Sequence, residues 1–242
     1  MNITHLVLSA MAALVALTIH EFAHGYTAYK LGDETAKAQG RLTLNPIKHL
    51  DPFGALCMIF FHFGWAKPVP INARNFKNPR KGFAITALAG PATNLTVGFF
   101  AGFFYLLAAT LFTPTESAFL VNLQINTILF LLYFFSINIG LGIFNLIPVP
   151  PFDGSRILNI ILPKKWYFKI MKYEMKIYWW VIAWLFLGQY VYYALLSVPF
   201  IAATPALSTI ARIFSLSDML SDAISAIVSL ILRFWSLIPI FR

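Results

Sequence analysis

Four apolar runs, near residues 5–31, 83–112, 118–147 and 177–203, decide what this chain can fold into. Each is long enough to cross a hydrocarbon layer of about 30 Å. Inside such a layer every backbone N–H and C=O needs a partner within the protein, which favours helices. A further candidate near 221–240 is weakened by Asp222 and Arg233. Hydrophobic residues make up 59% of the 242 and charged residues 11%, and the mean hydropathy is +0.73. Those values lie outside the soluble range and predict an all-α polytopic membrane protein with about five to six transmembrane helices. The first run has no positive segment before it and no clean cleavage pattern after it, so it reads as a retained span. Cys57 is the only cysteine, which excludes an intramolecular disulfide. No internal repeat or low-complexity tract interrupts the chain.

Charge orients the bundle. Of 18 Lys and Arg, nine fall between Lys30 and Lys81 and six between Arg156 and Lys176. Met1–His5 and Thr113–Ser117 contain none. The tendency of basic loops to stay inside predicts an integral membrane protein with its N-terminus outside and both basic loops cytoplasmic. The net charge of +9 is then a matter of lipid headgroups, and nucleic-acid binding is not expected.

The chemistry lies in His20-Glu21-Phe22-Ala23-His24, which follows the uncharged stretch Leu6–Ile19. An ionisable residue in a spanning segment costs about 2.5–3.5 kcal/mol on insertion scales, so it marks function by default. On a helix His20 and His24 stand one turn apart on one face, where two imidazoles can hold one zinc ion. Glu21 is rotated by about 100° and can act as a base on water without ligating the metal.

A catalytic zinc usually takes three protein ligands. Asn145-Leu146-Ile147-Pro148-Val149-Pro150-Pro151-Phe152-Asp153-Gly154 supplies a candidate. Its prolines forbid a regular helix, and broken backbone at membrane depth needs protein or water around it. Asp153 follows, either as third ligand, as N-cap of the next helix, or as both, and Gly154 permits close backbone approach.

These motifs, with Gly90-Pro91-Ala92-Thr93-Asn94 and Gly64-Trp65-Ala66-Lys67-Pro68-Val69-Pro70-Ile71-Asn72, resemble the site-2 protease family of intramembrane zinc metalloproteases. The likeness runs from about Thr18 to Gly154 in the family's order. It implies one zinc per chain held by His20, His24 and Asp153, Glu21 as catalytic base, and Asn145 pointing into the site to hold the substrate carbonyl. It also implies a three-helix catalytic core, a short β-like membrane-associated loop, and a transmembrane protein as substrate. The whole chain, 1–242, is expected to form a single membrane-embedded protease domain, with its core at about 5–162 and C-terminal helices at about 163–242. No PDZ-like insertion and no nucleotide-sensing domains are recognised, so regulation by such modules is not implied.

Other residues carry weaker readings. Lys67, Pro68, Val69, Pro70, Ile71 and Asn72 form either an edge strand that pairs with unwound substrate or an ordinary surface loop. Gly90 is expected to let two spans pack closely, with Asn94 as an interhelical hydrogen-bond donor. His49 and His62 lack ligand spacing, the aromatic stretch Trp166–Trp184 suits a membrane-interface belt, and Asp218 and Asp222 suit a solvated face. Two other classes compete with the protease: a zinc-binding pseudoprotease that holds membrane clients, and a metal transporter. Glu21 argues against the first and the absence of a repeat against the second.

Overall fold

The computed structural model describes residues 3–61, 66–113 and 115–241. The chain runs through α1 (Ile3–Lys30), α2 (Thr35–Ala38), α3 (Pro52–Phe61), α4 (Pro79–Thr110), α5 (Ala118–Asn145) and α6 (Asp153–Ile161). It continues through α7 (Lys164–Lys172), α8 (Glu174–Leu196), α9 (Pro199–Ala203), α10 (Pro205–Ala211) and α11 (Leu216–Trp235). Helices α1, α4 and α5 are each long and apolar enough to cross a membrane. The number rises to five if the bent pairs in 174–196 and 205–235 each form one span.

Local chemistry sets the ends of these helices. At the close of α1 the Asp33 N–H donates to Ala28 O and the Gly32 N–H to Tyr29 O, at 2.9 and 3.1 Å. Gly32 turns the chain with φ 104°, a conformation that costs glycine nothing. This closing turn returns Asp33 across the helix end. Asn78 begins α4 by accepting from the Lys81 N–H, with Pro79 at the first helical position.

The centre of the bundle is a three-helix packing of α1, α4 and α5. Small residues let the helices approach: a Cβ on Gly98 would stand 2.7 Å from Ile139 Cδ1, and one on Gly142 would stand 2.6 Å from Leu95 Cγ. Beyond the core, α11 lays Ile224, Val228, Ile231 and Leu232 against Ala101, Phe135 and Ile139. Trp235 Nε1 donates to Phe99 O at 2.8 Å on the same side. Outward positions such as Val7, Met11, Phe100, Phe104 and Leu123 stay exposed and apolar, as a lipid-facing surface requires.

The two basic stretches share one end of the bundle. Arg80, in the first turn of α4, donates to Ile160 O at 3.3 Å and to Leu162 O, at the close of α6. Arg156 pairs with Glu174 and lies over the Phe83 ring at 5.6 Å. The Lys-rich α7 is therefore held beside the start of α4.

The expected β-like loop is extended but forms no strand. Among the described residues the single β pairing is an antiparallel bridge between Leu50 and Ala66. Pro68 and Pro70 have no N–H, and the donors of Lys67, Val69 and Asn72 are each taken by another part of the protein. Gly64, Trp65 and His62 lie outside the described residues. His49 is buried and bonds Thr43 O at 2.8 Å, while Asp222 pairs with Arg212 on an exposed face.

Candidate active site

The helical period places His20 and His24 on one face of α1, and both side chains are buried. Asp153 reaches them from 133 positions further along the chain. Its Oδ2 stands 3.1 Å from His20 Nε2 and 3.2 Å from His24 Nε2, and the two Nε2 atoms are 3.0 Å apart. Phe152 rather than Asp153 occupies the N-cap position of α6. Phe152 is anchored against Phe144 with ring centroids 4.3 Å apart, and the Asp153 carboxylate is left free to face the histidines. Gly154 makes the turn possible, because a Cβ there would collide with the carbonyl oxygens of Leu146 and Ile147.

Hydrogen bonds behind the histidines set their protonation. Asn94 Nδ2 donates to Ala16 O at 3.2 Å and to Asn138 Oδ1 at 2.8 Å. Asn138 Nδ2 in turn donates to Phe134 O at 2.7 Å. With both amides oriented by these carbonyls, the atom of Asn94 that lies 2.6 Å from His20 Nδ1 is an oxygen. His20 must therefore donate through Nδ1. His24 Nδ1 likewise donates to Thr86 O at 2.7 Å, in the stretch of α4 that Pro91 interrupts. In the neutral imidazoles both Nε2 atoms then carry the lone pairs, and with Asp153 Oδ2 three potential ligand atoms converge.

Such a cluster calls for a cation at its centre. Two nitrogens and an oxygen match the three-ligand set of a catalytic zinc site. Tetrahedral ligands at about 2.0–2.1 Å stand roughly 3.3 Å apart, close to the spacing found here. The three ligand atoms lie within 4.8 Å of one another, and no other group of three His, Cys, Asp or Glu among the described residues does so.

Gly90 presses α4 directly onto the two imidazoles: a Cβ there would stand 2.5 Å from His24 Nε2 and 2.6 Å from His20 Cε1. The expected close packing is present, but its neighbours are the histidines themselves. Asn94 donates between helices, to Ala16 O and Asn138 Oδ1, and also accepts from His20 Nδ1. Asn138 and the Thr86 carbonyl were not singled out from the sequence. A buried Asn within an apolar helix is a signal that could have found Asn138, whereas a backbone carbonyl leaves none.

Glu21 points to the opposite wall. Its Oε2 accepts from the Val69 N–H at 2.7 Å, and Val69 is buried against Gly25, with 3.1 Å between Val69 Cγ1 and a Cβ built there. The segment around Val69 is held at several points. Lys67 N donates to His49 O at 2.8 Å, Arg41 Nη2 donates to Lys67 O at 2.7 Å, and Asn72 N donates to Asp33 Oδ2 at 2.7 Å. Asp33 is fully covered by its surroundings. That cover tends to raise its pKa, but hydrogen bonds from Thr35, Asn72 and Asn75 lower it below the ordinary aspartate value. Asn145 lies at the last turn of α5 and donates to Leu141 O of its own helix at 3.0 Å.

Comparison with known proteins bears on the same residues. The sequence profile described as Peptidase family M50 matches residues 8–189. The chain is 45% identical over 159 residues to YwhC of Bacillus subtilis (strain 168), a protein provisionally named a zinc metalloprotease. The alignment covers 62% of this chain and 67% of that protein. Identity to Rip2 of Mycobacterium tuberculosis (strain ATCC 25618 / H37Rv), provisionally named in the same way, is 31% over 160 residues, covering 60% of this chain and 54% of Rip2. Zinc metalloprotease MJ0392 of Methanocaldococcus jannaschii is 30% identical over 152 residues, covering 63% of this chain and 33% of that protein. The chain thus spans two thirds of the Bacillus protein, about half of the mycobacterial one and a third of the archaeal one. No solved structure is significantly similar to it. With a profile match over most of its length, and three candidate ligands converging where the pentad places them, the chain belongs to Peptidase family M50, the site-2 protease family of zinc metalloproteases.

Proposed function

We propose that this chain hydrolyses peptide bonds in or beside the transmembrane segments of other membrane proteins. In this reading His20, His24 and Asp153 hold one zinc ion and Glu21 is the base. The observation that carries it is the meeting of three potential ligand atoms, one residue from a carboxylate, within a bundle of apolar helices. Zinc supplies Lewis acidity there, drawing charge from oxygen so that water and a peptide carbonyl react near neutral pH.

The protein's own groups do the rest. Glu21 Oε2 is fixed by the Val69 N–H, which leaves Oε1 to take a proton from the attacking water. As the water oxygen bonds to the carbonyl carbon and the C–N bond breaks, Glu21 returns that proton to the leaving amine. Asn94 and the Thr86 carbonyl keep both imidazoles in the tautomer that ligates. Asn145 spends one amide N–H on Leu141 O and offers the other to the developing oxyanion. Residues 67–72 receive the substrate in extended form through the Ile71 N–H and the neighbouring carbonyls. The basic loops and the site opening face the cytoplasm, which supplies the water.

The test pairs zinc content with cleavage of a test transmembrane substrate in detergent, for the native chain and Glu21→Gln. One zinc in both proteins and cleavage by the native chain alone supports the assignment. Zinc without cleavage by either, across a broad substrate panel, favours a client-holding pseudoprotease. Absence of zinc from both overturns the ligand set.

A further inference from the structure

The end of the bundle where the basic stretches meet carries a cleft of about 480 Å³, separate from the zinc site. Leu31, Phe76 and Ile85 form its apolar walls, and Lys30, Lys77 and Lys81 stand around it. Its walls come from segments already held in place. Leu31 and Gly32 belong to the closing turn of α1. Phe76 is buried against Gly82, where an added Cβ would stand 2.6 Å from the Phe76 ring. Asn75, beside Phe76, donates to Asp33 at 2.7 Å.

The three lysines are not neutralised. Among the described residues no carboxylate forms an ion pair with any of them. Lys30 lies over the Tyr26 ring at 5.3 Å and remains exposed, as do Lys77 and Lys81. They cluster at the boundary of two span-length helices, Lys30 ending α1 and Lys81 in the first turn of α4. From Lys81 an exposed apolar track runs along α4 through Ile85 and Leu88, into the spanning region. A charged rim at the membrane surface that continues into an apolar track matches a phosphate headgroup followed by an acyl chain.

We propose that this cleft binds an anionic phospholipid, its phosphate among Lys30, Lys77 and Lys81 and an acyl chain along Ile85 and Leu88. The site differs from the Lys-rich α7, whose Lys169 lies over its own Trp166 on an exposed helix. It is independent of the protease assignment, because it uses none of the zinc-site residues.

Native mass spectrometry of the full chain in zwitterionic detergent tests it, with phosphatidylglycerol and phosphatidylcholine as probes. The native chain should retain one phosphatidylglycerol at least about tenfold more than phosphatidylcholine. The triple variant Lys30→Ala/Lys77→Ala/Lys81→Ala should lose about tenfold in retention, while Lys164→Ala/Lys165→Ala/Lys169→Ala in α7 should keep it. Equal retention by the native chain and the cleft variant overturns the proposal, as does equal retention of the two lipids. Inorganic phosphate separates the remaining source. If millimolar phosphate releases the lipid and raises the melting temperature as much as the lipid does, the site takes free phosphate and the lipid assignment fails.

Discussion

The Val69 N–H donates to Glu21 Oε2 at 2.7 Å, so the proposed general base is oriented by the backbone of a loop 48 residues away. That loop contains the segment proposed to receive substrate. In the proposed mechanism this one bond joins the base to the segment that receives the peptide.

Glu21→Gln should separate these two roles. A glutamine still offers Val69 an oxygen but cannot take a proton, so kcat should fall by about 10²–10⁴-fold with the loop undisturbed. Glu21→Leu should lose activity to the same extent and also free the Val69 N–H. Amide hydrogen exchange at Val69 is the discriminating measurement: slow in the native chain and Glu21→Gln, faster in Glu21→Leu.

Asn94→Leu removes the oxygen that holds His20 Nδ1 and leaves the Asn138 carbonyl oxygen without its donor. Zinc affinity should drop by about 10–100-fold, as for other supports of metal-bound histidines. Competition with a chelator of known strength measures it. An unchanged affinity would show that the imidazole holds its tautomer without Asn94.

Gly90→Ala puts a methyl group 2.5 Å from His24 Nε2, on a helix that cannot retreat without unpacking α1. Zinc should be lost from the purified protein while the helical circular dichroism remains, since the collision is local. Ala92, exposed on the same helix, provides the control: Ala92→Gly should bind zinc normally.

Asp33 carries a pH prediction. Its carboxyl pKa lies below 3.8 in the folded protein, so its contribution is complete above that value and is lost as pH falls through the lower folded value. Asp33→Ala should cost about 2 kcal/mol of loop stability near neutral pH, the scale of hydrogen bonds to a charged group. Limited proteolysis within residues 66–76 should be faster in the variant at pH 7, and the difference from the native chain should shrink as pH drops below about 4. A gap that is constant with pH would mean that the charge does not hold the loop.

Some of this architecture can be read from the chain and some cannot, and the division is physical. Helical spacing is local, so the apolar runs predict α1, α4 and α5, and the pentad places His20, Glu21 and His24 on known faces of one helix. The Pro148–Pro151 break and the glycine after Asp153 likewise mark a site-forming turn by local backbone rules. The basic stretches predict a shared end of the bundle, which the Arg80 contacts with Ile160 and Leu162 bear out.

Contacts between distant segments depend on how the helices pack, and periodicity carries no trace of them. Only tertiary structure brings Asp153 within 3.2 Å of both histidines, points Asn94 Oδ1 at His20, and turns the Thr86 carbonyl toward His24. The same holds for residues 67–72. Their prolines suggest an edge, but whether a donor is free depends on Glu21, Asp33 and His49, which lie elsewhere in the sequence. The sequence by itself determined the ligand-bearing helix and its membrane setting, because both rest on short-range pattern. Tertiary packing decided the hydrogen-bond partners of the histidines, the closeness of the third candidate ligand and the partner of the proposed base, because each is a distance between helices or loops that meet only in the folded chain.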